Sequence, residues 1–108
     1  ERLYYHSKNE AMMKGEKLAR ENKWVEAAEF WRPKTEIRKK KLAAKACFNM
    51  AVVCEIEGKT ELAIEWLTKA KSVGLRYDQE HQDVCKQYLS VLQLREKDAA
   101  QLEVQMKE

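Results

Sequence analysis

The chain writes one spacing of small and bulky residues twice. With Lys8 set against Ala44, an offset of 36, Gly15 falls on Ala51, Leu18 on Cys54, Ala27 on Ala63, Phe30 on Trp66 and Trp31 on Leu67. Small residues meet small ones and bulky residues meet bulky ones. A helical hairpin needs this pattern: a small residue in the first helix lets the second approach, and a bulky one fills the groove beside it. A duplicated hairpin predicts an all-α fold. The scarcity of turn formers agrees, since only three glycines and one proline occur in 108 residues. That length suits one domain with a modest core, and 44% hydrophobic with 36% charged residues describes a soluble chain able to fold.

Local signals place the helices. Ser7-Lys8-Asn9-Glu10 matches the S-x-x-E capping box, so the first helix is expected over about 7–21, with Ala11, Gly15 and Leu18 on its inner side. Trp24, Ala27, Ala28 and Trp31 form one stripe of a second helix, which Pro33 ends or kinks near Arg32. A third helix over about 40–57 has the stripe Cys47, Met50, Ala51 and Cys54 and stops at Gly58. A fourth over about 60–73 turns Ala63, Ile64, Leu67 and Ala70 inward and stops at Gly74. A fifth begins near Asp78, a good N-cap, with the seam Cys85, Tyr88, Leu92, Ala99, Leu102 and Met106, which Arg95 interrupts.

This organisation resembles the tetratricopeptide repeat family. That family's pattern of large, large, small and large is occupied by Cys47, Met50, Ala51 and Cys54, and Gly58, Ala63, Leu67 and Ala70 follow it. Asn49 stands where these repeats often carry asparagine. The first block is a weaker copy: Gly15, Leu18, Ala27 and Trp31 fit, while Lys14 and Lys34 depart from the pattern. The resemblance implies a right-handed α-solenoid (an α-α superhelix) within a single domain, residues 1–108. Repeat 1 spans about 8–41, repeat 2 about 44–75, and a long capping helix about 78–108. A narrower similarity rests on Tyr4-Tyr5-His6-Ser7, on Trp24 through Trp31 and on KLAAKACFNMAVVCEIEG. It points to an uncharacterised family of bacterial cell-envelope lipoproteins with such repeats at the C-terminal end. It implies a lipid-anchored, periplasmic-side location. The chain starts at Glu1 without a methionine, so a piece of a longer protein is expected.

In tetratricopeptide repeats the first helix of each pair lines a concave groove. Carried over by position, that groove would comprise Asn9, Met12, Met13, Glu16 and Arg20, joined by Lys45, Phe48, Asn49, Val52, Glu55 and Ile56. The apolar members, lying off the packing stripe, would form a partner site for an extended peptide or a helix, unless the fifth helix or further chain covers them. Some family members grip a C-terminal carboxylate with lysines and asparagines at fixed places. Asn49 fits one, but Met12 and Glu16 stand at two others, and a glutamate there would repel a carboxylate. That clamp is therefore not expected.

Rival chemistries find less support. Glycine-rich phosphate loops, G-x-S-x-G and H-E-x-x-H are absent, so no enzymatic activity and no cofactor are expected. His81 and Cys85 are four apart, a spacing that can hold two metal ligands, but no third is evident nearby and no metal site is expected. Three cysteines read as small hydrophobes, because Cys47 and Cys54 on one helix would stand about 10 Å apart, too far for a disulfide. Glutamates pair with lysines at i+4, as Glu10 with Lys14 and Glu65 with Lys69. No apolar run approaches the roughly 20 residues of a membrane-spanning helix. The net charge is a mild +3, yet Arg32, Lys34, Arg38, Lys39, Lys40, Lys41 and Lys45 face only Glu36 in their stretch. No aromatic side chain for base stacking is interleaved there. The cluster reads as a solvated connection between repeats, with weak binding of nucleic acid or anionic lipid as the alternative. The expected function is protein–protein interaction or scaffolding. The other reading is a purely structural domain packed against the rest of a longer chain. Nothing in the sequence sets an oligomeric state.

Overall fold

A computed structural model of the chain describes residues 9–74 and 79–107, and the side chains of 9–73 and 79–98. Every regular element among them is helical. The order is α1 (Glu10–Arg20), α2 (Trp24–Trp31), a 3-10 helix (Arg32–Glu36), α3 (Lys40–Ile56), α4 (Thr60–Gly74) and α5 (Gln79–Lys107). Ser7 of the anticipated capping box and Asp78 lie outside the described residues. The cap of α1 is Asn9: its backbone is extended, and its side-chain oxygen accepts from the amides of Ala11 (3.0 Å) and Met12 (3.3 Å).

The turns between paired helices are built alike. After α1, Asn22 has a φ of 64°, its amide donates to the Ala19 carbonyl, and the Lys23 amide donates to that of Leu18. After α3, Gly58 has a φ of 79°, its amide donates to Glu55, and Lys59 donates to Cys54. Both are Schellman closures, in which one left-handed residue lets two amides satisfy the carbonyls at a helix end. The two left-handed residues are themselves 36 positions apart. Glycine announces such a turn in the sequence; Asn22 is the rarer residue that tolerates it.

Pro33 falls in the first turn of the 3-10 helix, where a missing amide is harmless, and α2 ends two residues before it. Thr35 is buried and its hydroxyl donates to the Arg32 carbonyl (2.7 Å). The short segment thus carries the chain from α2 to α3.

Two core clusters follow the two hairpins. The first gathers Met12, Ala19, Ala27, Ala28 and Trp31 with Ala46, Met50 and Val53 of α3. At its centre Gly15 meets Trp31: a Cβ on Gly15 would stand 2.3 Å from the indole nitrogen. That nitrogen donates to the Met12 carbonyl (3.2 Å). The second cluster joins Cys47, Phe48, Ala51, Val52 and Cys54 to Ala63, Leu67 and Ala70 of α4 and to Cys85 and Leu92 of α5. Burying a side chain such as Leu67 or Phe48 contributes about 1.5–3 kcal/mol.

The single inward stripe anticipated for α3 is too narrow. Every residue from Ala46 to Cys54 is buried, because α2 and the 3-10 helix, α4 and α5 surround the helix. On α1 the buried face is Met12, Gly15 and Ala19, one residue round from the anticipated Ala11, Gly15 and Leu18, of which Ala11 and Leu18 are half-buried. No described helix is long and apolar enough to cross a membrane.

Candidate functional site

The residues assigned to a concave groove divide into two groups. On α3, Phe48, Asn49 and Val52 are buried. The Phe48 ring lies 5.4 Å from that of Tyr88 on α5. Glu55 accepts a hydrogen bond from the Tyr88 hydroxyl (2.8 Å) and pairs with Arg95, so two α5 residues seven apart hold one carboxylate. Lys45 and Ile56 are half-buried, and Ile56 packs against the second core cluster. Helix α5 therefore occupies the side of α3 that was expected to receive a partner. Arg95, an interruption of the apolar seam in the sequence, is one of the residues that fastens it. The seam's outer members Ala99, Leu102 and Met106 have side chains outside the described set.

On α1 the arrangement is more open. Met12 is buried at 1% exposure in the first core cluster, and Asn9 is spent on capping, so neither offers a free groove surface. Met13, in contrast, is 54% exposed. Beside it run the pairs Glu10–Lys14 (3.3 Å) and Glu16–Arg20. With Lys17 these five line a shallow open depression of about 540 Å³ around Met13. Lys14 also stands 6.0 Å from the centre of the partly exposed Phe30 ring of α2. Sequence reasoning found Met13, Glu16 and Arg20. Glu10 and Lys17 lie one turn away on the same face, three before and four after Met13, and that spacing was the signal for them; Lys14 follows Met13 directly and joins through its pair with Glu10.

The polar residues of α5 that suggested chemistry are used for docking. His81 is buried, and its Nε2–H donates to the Ala70 carbonyl (3.1 Å); Gln82 donates to the Lys71 carbonyl (2.8 Å). Both contacts tie the start of α5 to backbone carbonyls near the C-terminal end of α4. Cys85 Sγ lies 3.5 Å from His81 Nε2, but no group of three or more His, Cys, Asp or Glu that could hold a metal occurs among the described residues. All three cysteines are free and buried. Burial pushes the Cys47 thiol up to about 11 and the Cys85 thiol up to about 12, and raises Cys54 as well, so none supplies a thiolate near neutral pH. No buried side-chain polar atom among the described residues lacks a hydrogen-bond partner.

The basic stretch forms an exposed corner. Arg32, Arg38, Lys39, Lys40 and Lys41 are exposed, and Lys34 is half-buried. The one carboxylate among them, Glu36, pairs with Lys69 of α4, which takes it in place of the anticipated Glu65. The hydrogen bond from Lys69 holds the Glu36 carboxyl below its ordinary range.

With this geometry in hand, comparison with known proteins adds one finding. Residues 13–94 match the profile of DUF6340, described as a domain of unknown function. The chain belongs to that family. The match runs from Met13 to Leu94, covering most of α1, all of α2 to α4 and the first part of α5, and stops one residue before Arg95. No curated protein and no solved structure is significantly similar to the chain.

Proposed function

We propose that this chain is a tetratricopeptide-like scaffold that binds a protein partner through the open side of α1. The observation that carries the reading is the repetition of the hairpin with its surroundings. Met12 and Phe48, 36 apart, are both buried. Met12 shares a cluster with Ala46, Met50 and Val53 of α3, and Phe48 shares one with Cys85, Tyr88 and Leu92 of α5. Helix α2 packs on α3 as α4 packs on α5. Each hairpin is thus covered by the next helix in the chain, which is how a solenoid grows. His81, Val84, Cys85 and Tyr88 also continue the spacing of Cys47, Met50, Ala51 and Cys54 at an offset of 34, as if α5 opened a third unit.

In this reading the chain acts by binding, with no chemistry of its own. Its recognition surface is Met13 with the charged pairs beside it, and the ligand is an amphipathic peptide or helix that places an apolar side chain against Met13. Such a short surface gives modest affinity. A purely structural role is the second reading, favoured by the way α5 uses up the α3 side.

Panning a displayed peptide library against the chain tests both. Enriched peptides should bind the parent protein, fail against Met13→Asp and be unaffected by Glu65→Lys on the far side of α4. Failure to enrich, or binding indifferent to Met13→Asp, would leave the structural reading.

A further inference from the structure

We propose that the corner formed by the 3-10 helix and the first turn of α3 docks end-on against an anionic lipid surface. Residues 32–45 hold seven cations against Glu36, a charge of +6, whereas the whole chain carries +3. The remaining residues therefore carry −3, so the chain's positive charge is concentrated in this one segment. None of the seven cations forms an ion pair with a described residue, and Glu36 is taken by Lys69.

The start of α3 gains no capping or dipole stabilisation from these charges. Helix α3 starts at Lys40 with Lys39 as its N-cap, no side-chain cap and no acidic residue in its first turn. Cations there sit at the positive end of the helix dipole and beside one another, which disfavours the helix. An external negative surface turns the same arrangement into an attraction.

The geometry selects the kind of surface. Arg38 and Lys39 lie in the non-helical approach to α3, and Lys40 and Lys41 open the helix about 100° apart, so the four exposed cations fan across the junction and do not share one helix face. A duplex groove or an extended acidic peptide meets a line of charges and would engage only part of such a fan. A plane of headgroup phosphates facing this exposed corner meets cations that a line would miss. Residues 32–45 contain no aromatic side chain on which a base could stack, while Pro33 and the half-buried Ile37 lie among the cations.

Vesicle co-sedimentation of the whole chain is the test, with phosphatidylcholine alone and with phosphatidylcholine mixed with phosphatidylglycerol. Binding is expected to the mixed vesicles only, and should vanish at about 1 M salt, where the screening length is about 3 Å. Lys39→Glu, Lys40→Glu and Lys41→Glu together should weaken it about a hundredfold or more, since each cation near such a surface contributes about fivefold. The same triple variant should melt higher than the parent, because it puts acids at a helix start; a variant that binds poorly by misfolding would melt lower. Should the triple reversal unfold the chain, the corresponding triple glutamine variant carries the test. Equal binding to both vesicles, binding that survives these substitutions, or tighter binding to a DNA duplex or to polyglutamate than to the mixed vesicles overturns the proposal.

Discussion

The two hairpins are near copies in plan and opposites in finish. The first closes on a large residue, Trp31, pressed onto a glycine; the second places Leu67 opposite Ala51, so volume lost on one side is returned on the other. The first ends α1 with asparagine in the left-handed turn and the second ends α3 with glycine. The larger contrast lies outside the hairpins. Asn49 and Val52 are buried on α3, while Met13 and Glu16, their counterparts 36 residues earlier, stand exposed and half-buried. One architecture thus yields a sealed copy and an open one. Which copy can meet a partner is decided by what the chain lays over it.

Substitutions at matched positions test how far the copies are interchangeable. The largest effect is expected for Trp31→Ala, which empties the first core and should cost about 3–5 kcal/mol in urea unfolding. Gly15→Ala comes next. The added methyl would gain up to about 1 kcal/mol of helix propensity, but it meets a fully buried indole at 2.3 Å, and overpacking costs about 1–3 kcal/mol. A destabilised Gly15→Ala alongside an equally destabilised Ala51→Gly would show that each copy is fitted to its own bulky partner. If both were neutral, the close approach of α1 to α2 would be refuted.

Gly58→Ala isolates the turn. No atom lies within 4 Å of the added Cβ, so only the left-handed backbone resists it, at about 1 kcal/mol. Asn22→Ala should lose a similar amount and, in addition, the bond from the Trp24 indole (2.8 Å), whereas Asn22→Gly should keep the turn and lose only that exposed bond. Tyr88→Phe should cost about 0.5–1.5 kcal/mol and loosen α5 from Glu55, read by thermal melting. The smallest effect belongs to Glu36. Its carboxyl sits below the ordinary range because it accepts from Lys69, so its contribution is present above the unfolded carboxylate's value and is lost as acid protonates it through the lower folded value. Glu36→Gln should lower stability slightly at neutral pH, leave it unchanged in strong acid, and so flatten the acid limb of the stability profile. An unaltered acid limb would mean that the pair contributes nothing.

Much of the helical plan was legible because it is written in local signals. Pro33, Gly58 and the three- and four-residue spacing of alanines and tryptophans each act within one turn. The cap at Asn9 and the turn at Asn22 were less visible, since asparagine serves in caps, turns and surfaces alike. What could not be read was coverage. Phe48 and Val52 were assigned to a groove because they lie off the stripe of α3, and one helix cannot reveal a third neighbour on that side. Tyr88 and Arg95 held a clue, two polar-tipped residues seven apart on one face of α5. Their partner Glu55 is 40 residues from Arg95, beyond any local pattern.

The central claim is that each hairpin is covered by the helix that follows it, leaving the outer side of α1 open. Hydroxyl-radical footprinting reads this directly, since oxidation rates follow side-chain exposure. Met13 should oxidise fastest of Met12, Met13 and Met50, with Met12, Met50 and Phe48 protected until the chain unfolds. Met12 or Phe48 reacting as fast as Met13 in the folded protein would contradict the account.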